Sequence, residues 1–182
     1  YHQWVGKNYI EHAAEFQGSG FDDANKSGQD IPEHPIFFSK ADSTIVGPGD
    51  PIPASSDPLE STDYEGELTI VIGKPGYKIN HNQAMDHVFG YTIINDVTSR
   101  GLQKKHNQWF LGKNLDGFCP MGPTVVTADE INDVSSLELI TSVNGEERQR
   151  AHLNQLIFDI PELIVTLSTV MTLNPGDLIA TG

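Results

Sequence analysis

The stretch Asp63-Tyr64-Glu65-Gly66-Glu67-Leu68 runs without a break into Thr69-Ile70-Val71-Ile72-Gly73, and no other feature of the chain restricts its fold as much. Aliphatic and β-branched residues at this density predict a strand. Successive strand side chains point to opposite faces. Glu65, Glu67 and Thr69 therefore share one face, with the two carboxylates roughly 6 to 7 Å apart, while Leu68, Ile70 and Ile72 share the other. Like charges held in this way repel, which leaves two readings. Either the strand lies at a sheet edge, where solvent-facing charges discourage association, or a cation sits between the carboxylates. The second reading gains support downstream, where the apolar run 89–94 delivers Asn95-Asp96 at the end of another predicted strand. Glu65, Glu67 and Asp96 would form a hard, all-oxygen set suited to Mg²⁺ or Mn²⁺.

The rest of the chain narrows the setting. With 182 residues, 37% of them hydrophobic, there is enough chain for one substantial core, and a single domain over residues 1–182 is expected. A net charge of −14 opposes binding to nucleic acid or an anionic membrane surface, because phosphates would be repelled. One cysteine, Cys119, excludes an internal disulfide framework and a cysteine-based zinc site, and makes a reducing, cytoplasmic setting the expectation. No apolar run approaches the ~20 residues that span a bilayer. The chain starts at Tyr1 and stops at Gly182 on a strand-like segment, so it is expected to be an ordered portion of a longer protein, whose possible targeting segment would lie outside it.

Along the chain, residues 10–16 are mostly good helix formers closed by Gly18 and Gly20. His12 and Glu15, three apart, would share a helical face. Residues 19–35 read as a surface loop. Within it Asp23-Ala24-Asn25-Lys26-Ser27-Gly28 imitates the opening of a calcium loop, but the twelfth position is His34, not Glu, and Pro32 and Pro35 forbid an exit helix. Strands are predicted over 36–40, 91–94, 124–127 and 137–143, the last followed by the hairpin signal Asn144-Gly145. Residues 82–89 carry a modest helical pattern, and 160–173 form an amphipathic segment with Pro161 suited to a helix start. Many short strands, frequent Gly and Pro, and few helices with no βαβ alternation indicate a strand-dominated α+β fold.

Other ionisable groups allow a bland and a chemical reading. His12 and Glu15 suit an exposed helix, yet a carboxylate beside an imidazole also makes a water-activating base. Lys113 in Gly112-Lys113-Asn114-Leu115-Asp116 suits a solvated loop, but near an anionic substrate it could stabilise a developing oxyanion. Asp42, Asp50, Asp57 and Glu60 read as loop solvation. His81, His87 and His106 lack metal-site spacing and read as surface or core histidines.

Taken in order, Gly6-Lys7-Asn8-Tyr9, His12 and Glu15, Asp63 through Leu68, Gly90-Tyr91-Thr92-Ile93-Ile94-Asn95-Asp96-Val97, Gly112 through Asp116, Val143-Asn144-Gly145-Glu146 and Leu173-Asn174-Pro175-Gly176-Asp177-Leu178-Ile179-Ala180-Thr181-Gly182 resemble the fumarylacetoacetate hydrolase family over nearly the whole chain. The resemblance implies a mixed β-roll or sandwich of that family's C-terminal-domain type, a homodimer, and Mg²⁺ or Mn²⁺ held on Glu65, Glu67 and Asp96. It implies catalytic roles for His12, Glu15 and Lys113. It also implies substrate contacts from Arg100 and Gln103 of an R-x-x-Q motif, from Lys113, and from Thr181 of the final Thr-Gly. Gly101 departs from the Asp common there, and Asn114-Leu115 from the common Ser-Phe. The implied activity is hydrolysis of a carbon–carbon bond in a small 2,4-dioxo acid of the acylpyruvate or fumarylpyruvate type, by way of an enolate stabilised at the cation. The same stabilisation would serve an oxaloacetate-type β-keto acid decarboxylase or a 2-oxo diacid isomerase. The non-catalytic alternative is a β-rich module that holds a cation.

Overall fold

The apolar run after Glu67 lies at the centre of the principal sheet in the computed structural model, which describes residues 2–9, 31–106 and 108–182. The strands of the described residues are β1 (His2–Gly6), β2 (Ile36–Ser39), β3 (Ile45–Val46), β4 (Thr62–Asp63), β5 (Gly66–Ile72), β6 (Val88–Asn95), β7 (Thr98–Ser99), β8 (Cys119–Pro120), β9 (Val126–Thr127), β10 (Glu138–Val143), β11 (Glu146–His152) and β12 (Leu178–Ala180). Six of them form a mixed sheet in the order β2-β1-β12-β5-β6-β9. The β1–β12 pairing is parallel and the others are antiparallel. Short pairs β3–β8 and β4–β7 and the hairpin β10–β11 complete the strand-dominated α+β architecture.

β5 pairs on one side with β12 (Ile70 opposite Ile179) and on the other with β6 (Glu67 opposite Ile94). Six of its seven residues are buried. The sheet-edge reading of Glu65 and Glu67 is thereby overturned, because an interior strand presents no free edge for charges to protect. Leu68, Ile70 and Ile72 pack with Val5 and Ile179 against Leu163, Ile164 and Leu167 of the helix α3 (Ile160–Val170). That helix forms as its sequence indicates: the Asp159 side chain accepts from Glu162 N–H, and Pro161 fits the first turn. The opposite face carries a smaller cluster of Trp4, Ile94, Cys119 and Ala180 with Phe38, Ile45 and Met121. Cross-strand partners share a face, so Glu67, opposite Ile94, and Thr69, opposite Ala180, stand on this second side. The candidate site is built there.

Two further helices support it: α1 (Arg100–Lys105), capped by the Ser99 side chain, and the single turn α2 (Phe110–Lys113). The segment 82–89 forms a 3-10 helix over His81–His87. The Asn144-Gly145 turn joins β10 to β11 with both residues at positive φ (53° and 81°), the conformation that a two-residue hairpin favours. Strand β1 is not among the strands predicted from the sequence. Its five residues lack clear alternation, and the ladders supplied by β2 and β12 set its conformation. The expected helix over 10–16 and the loop through residue 30 lie outside the described residues. Among the described residues no helix is long and apolar enough to cross a membrane.

Candidate active site

Glu65 and Asp96 lie where β5 and β6 part, and Glu67 is the second residue of β5. Asp96 N–H donates to the Glu65 carbonyl at 2.7 Å, and the Asn95 side chain accepts from Glu65 N–H at 3.0 Å. These bonds pull the strand ends together, so one oxygen from each of Glu65, Glu67 and Asp96 falls within 4.8 Å of the others. This is closer than ideal strand spacing gives, because Glu65 sits just before the regular ladder. Glu67 is 2% exposed and Asp96 is fully buried.

Lys113 is brought into the same place. Its ammonium is hydrogen-bonded to Glu65 Oε2 and lies 2.6 Å from Asp96 Oδ2. At 3% exposure it is not the solvated loop lysine that its Gly-rich surroundings allow. Gly112 is what lets it in: a Cβ there would come within 2.7 Å of Gln103 N and 2.8 Å of the Ser99 carbonyl, so α2 can lie against α1 only without a side chain. Arg100 reaches back from α1. Its Nη1 is 2.5 Å from Glu65 Oε1, and its Nε and Nη2 meet Asp63 Oδ2 at 2.9 and 2.8 Å. Gln103 accepts from Arg100 Nη1 at 3.3 Å. Thr181 is fully buried behind the triad, its hydroxyl donating to the Leu68 carbonyl at 3.1 Å. His12 and Glu15 lie outside the described residues.

Several participants are not evident from sequence reasoning. Lys40, at the end of β2, is buried with its ammonium 2.6 Å from Asp96 Oδ1 and 3.0 Å from the Val97 carbonyl. Its signal is a lysine following the strand Ile36-Phe37-Phe38-Ser39, which reads equally well as a strand end meeting water. Asp57 is not loop solvation: it is buried and accepts from Leu59 N–H, Ser61 N–H, Ser61 Oγ, Thr62 Oγ1 and Ser99 Oγ at 2.8 to 3.2 Å. Ser61 in turn binds Arg100 N–H through its carbonyl and Gly101 N–H through its hydroxyl, so Asp57 ties β4 to the start of the helix carrying Arg100. Asn8 crosses the back of the site, donating to the carbonyls of Thr181 (2.8 Å) and Phe158 (3.0 Å). Trp109 lies over Gly6, where a Cβ would meet its ring at 2.1 Å, and packs edge-on to Phe38 at 5.6 Å. Phe38 holds its ring 5.2 Å from the Lys113 ammonium. An aromatic wall thus flanks the charged cluster.

The electrostatics divide the acids. Burial opposes ionisation of Glu65, but the Lys113 ammonium and the Arg100 guanidinium outweigh it and hold the carboxyl at about 2. Glu67 moves the other way. Burial, then the Asp96 and Glu65 carboxylates, push it well above the usual carboxylate range, and Lys113 and the Gly182 N–H at 2.9 Å offset this only in part. Burial disfavours the charged form of Lys113 as well, yet Asp96, Glu65 and Glu67 overcome it and raise its affinity for the proton. Tyr9, buried and hydrogen-bonded to Thr181, is pushed up to about 12, mainly by burial. Among the described residues, Asp63, Glu65, Glu67 and Asp96 face Lys40, Arg100 and Lys113, so the acids outnumber the cations by one, and Glu67 is the acid without an ion pair of its own. Convergent hard oxygens with an uncompensated carboxylate fit a divalent cation.

A family profile described as "Fumarylacetoacetate (FAA) hydrolase C-terminal" matches residues 3–182. The chain belongs to the fumarylacetoacetate hydrolase family. Membership accords with the strand-dominated fold and with the acidic triad, since metal dependence is typical of the family. The chain is 50% identical over 178 residues to oxaloacetate tautomerase YisK of Bacillus subtilis, an alignment covering 98% of the chain and 56% of that protein. Among solved structures, a fumarylacetoacetate hydrolase from Exiguobacterium antarcticum superposes with a TM-score of 0.83 at 46% identity, covering 99% of this chain and 61% of that one. A 5-carboxymethyl-2-hydroxymuconate delta-isomerase from Mycobacterium smegmatis gives 0.81 at 43% identity, covering 100% and 66%. The chain spans about half the length of the curated relatives it matches.

Proposed function

We propose that the chain is the catalytic part of an enzyme that moves a proton on a small 2-oxo acid through its enolate, with keto–enol interconversion of an oxaloacetate-type dicarboxylate as the favoured reaction. The observation that carries this reading is the Lys113 ammonium buried between Glu65 and Asp96, beside a third carboxylate that lacks a cationic partner of its own. Glu65, Glu67 and Asp96 would hold Mg²⁺ or Mn²⁺. When bound, such a cation supplies Lewis acidity toward an oxo group and an adjacent carboxylate.

The chain's own groups account for the rest. Lys113 is held protonated by its acidic neighbours, so it offers positive charge toward the oxygen on which enolate charge develops, in a site walled from water by Phe38 and Trp109. Lys40 fixes Asp96 from behind, and Arg100 fixes Glu65, so neither carboxylate has to reorganise as charge shifts. The names of the relatives support enolate chemistry as the shared element: one is a tautomerase, one an isomerase and one a hydrolase. Carbon–carbon hydrolysis of an acylpyruvate is the second reading. It is favoured by the His12 and Glu15 pattern, which suits activation of water.

Product analysis separates the readings. The purified protein, with Mn²⁺ and with chelator, is given the enol form of oxaloacetate and, separately, an acylpyruvate. Tautomerisation removes the enol absorbance and leaves all four carbons in one molecule. Decarboxylation yields pyruvate and carbon dioxide, and hydrolysis yields pyruvate and a second carboxylic acid. Failure to accelerate loss of the enol, combined with turnover of the acylpyruvate, would transfer the assignment to the hydrolase.

A further inference from the structure

The two glutamates of the triad flank Gly66, the residue type with the widest backbone freedom. Their separation depends on the φ and ψ of that one residue, and their like charges favour splaying it. Gly66 also lies where β5 has lost its neighbour: β12 ends at Ala180 opposite Thr69, Thr181 N–H still reaches the Leu68 carbonyl, and Gly182 N–H has already turned to the Glu67 side chain. The N–H and C=O of Gly66 would therefore face an open strand edge.

A single side chain closes it. Gly66 N–H donates to Gln149 Oε1 at 2.9 Å, and Gln149 Nε2 donates to the Gly66 carbonyl at 2.9 Å. The primary amide takes the place of a peptide group from an adjacent strand. Thr141 Oγ1 donates to the same Oε1 at 2.9 Å, so the amide is itself oriented by the neighbouring strand of its hairpin. The fit leaves no room for a side chain at Gly66, where a Cβ would lie 2.3 Å from Thr141 Oγ1. On the opposite edge Asp96 N–H and the Asn95 side chain hold Glu65.

We infer that Gln149 is a positioning residue for the carboxylate triad: its amide clamps both polar groups of Gly66 and so fixes the spacing of Glu65 and Glu67 for a divalent cation. This rests on the reading that the triad takes such a cation, and the experiment keeps the two claims apart. Mn²⁺ alone is titrated into the full chain by calorimetry and followed by its paramagnetic resonance spectrum, for the wild type, Gln149→Met, which keeps length and loses both bonds, and Arg148→Ala, an exposed neighbour on β11. Groups that support metal ligands typically contribute 10- to 100-fold in affinity. Gln149→Met is expected to bind Mn²⁺ roughly 10-fold or more weakly with an altered spectrum, and Arg148→Ala to match wild type. A purely structural role would lower the unfolding midpoint of Gln149→Met while leaving affinity within twofold of wild type, and that result overturns the inference. Should Gln149→Met not fold, Thr141→Val, which only releases the orientation of the amide, is expected to weaken binding severalfold, and unchanged binding overturns the inference. If wild type takes up no Mn²⁺, the cation reading falls, and exchange protection at the Gly66 amide decides: equal protection in wild type and Gln149→Met removes the clamp.

Discussion

Replacing Glu67 by Gln keeps shape and removes charge, and the structure requires opposite effects with and without cation. In metal-free protein Glu67 has Glu65 and Asp96 oxygens within 4.8 Å, and two unit charges at that distance repel by about 3.5 kcal/mol at an effective dielectric near 20. Lys113 and the Gly182 N–H offset part of this, and a glutamine oxygen can still accept the Gly182 bond. Protonation sets the ceiling, because holding a carboxyl of ordinary value 4.5 neutral at pH 7.5 costs about 4 kcal/mol. We expect E67Q to stabilise the metal-free chain by about 2 kcal/mol, or about 4–8 °C in Tm. With Mn²⁺ at 1,000 times its Kd the wild type gains about 4 kcal/mol by mass action while the variant gains little, so the order of stability reverses. The pH dependence has a definite sign. A carboxyl raised on folding binds its proton more tightly in the folded state, so stability falls as pH rises above about 4.5 toward the raised value. The wild type minus E67Q difference should show this decline. Thermal unfolding in chelator and in Mn²⁺, across pH, measures every quantity. A variant less stable than wild type in chelator, or one that keeps the full Mn²⁺ increment, would refute the reasoning.

Lys40→Met removes one partner from a fully buried ion pair, a change that typically costs 3–5 kcal/mol; because Asp96 keeps Lys113, we expect about 3 kcal/mol by urea unfolding, and a loss under about 1 kcal/mol would show that the pair contributes little. Asp57→Ala breaks the links from β4 to Ser99 and is expected to cost about 2–3 kcal/mol at neutral pH. Burial opposes ionisation of Asp57, but bonds from Leu59, Ser99, Ser61 and Thr62 hold its pKa below the ordinary value, so its contribution is present above about pH 4 and lost as pH falls through the lowered value. The variant should therefore show a flatter acid limb, and an unchanged limb would contradict this. Lys113→Met removes the ammonium that satisfies Glu65 and Asp96, so Mn²⁺ should bind at least as tightly as to wild type while turnover of a 2-oxo acid falls by 10²-fold or more. Undiminished turnover would deny Lys113 its proposed role.

What could be read ahead of the structure is what strand periodicity encodes. Glu65 and Glu67 alternate with Leu68 and Ile70, and Asp96 ends the next long apolar run, so pairing β5 with β6 was sufficient to bring them together. The helix over Ile160–Val170 and the Asn144-Gly145 hairpin carry equally local signals. Lys40 carries only an ambiguous one, because its partner is 56 positions away and the contact exists only once β2 has been added to β1. Asp57 is hidden for a related reason: a Pro- and Ser-rich surround suggests a wet loop, and only the meeting of β4 with β7 makes its carboxylate a hub. Gln149 lies 83 residues from Gly66, and nothing in a polar hairpin strand announces that one of its amides will finish another sheet.

The placement of the triad also explains why so many cations surround it. Had β5 been an edge strand, Glu65 and Glu67 could have turned to water and needed no partner. With Glu67 and Asp96 buried that escape is closed, and an isolated buried carboxylate is costly enough to drive protonation or unfolding. Lys113 and Arg100, both held in the charged form by the acids they meet, secure Glu65, and Lys113 with Lys40 pairs with Asp96. Among the described residues, Glu67 is served only by a backbone N–H and a shared ammonium. A fold selected for stability alone would place an apolar or amide side chain there. Keeping a carboxylic acid at the centre of the sheet makes sense where a further positive charge completes the set. The instability concentrated at one residue is thus the best physical argument, independent of any relative, for the cation proposed above.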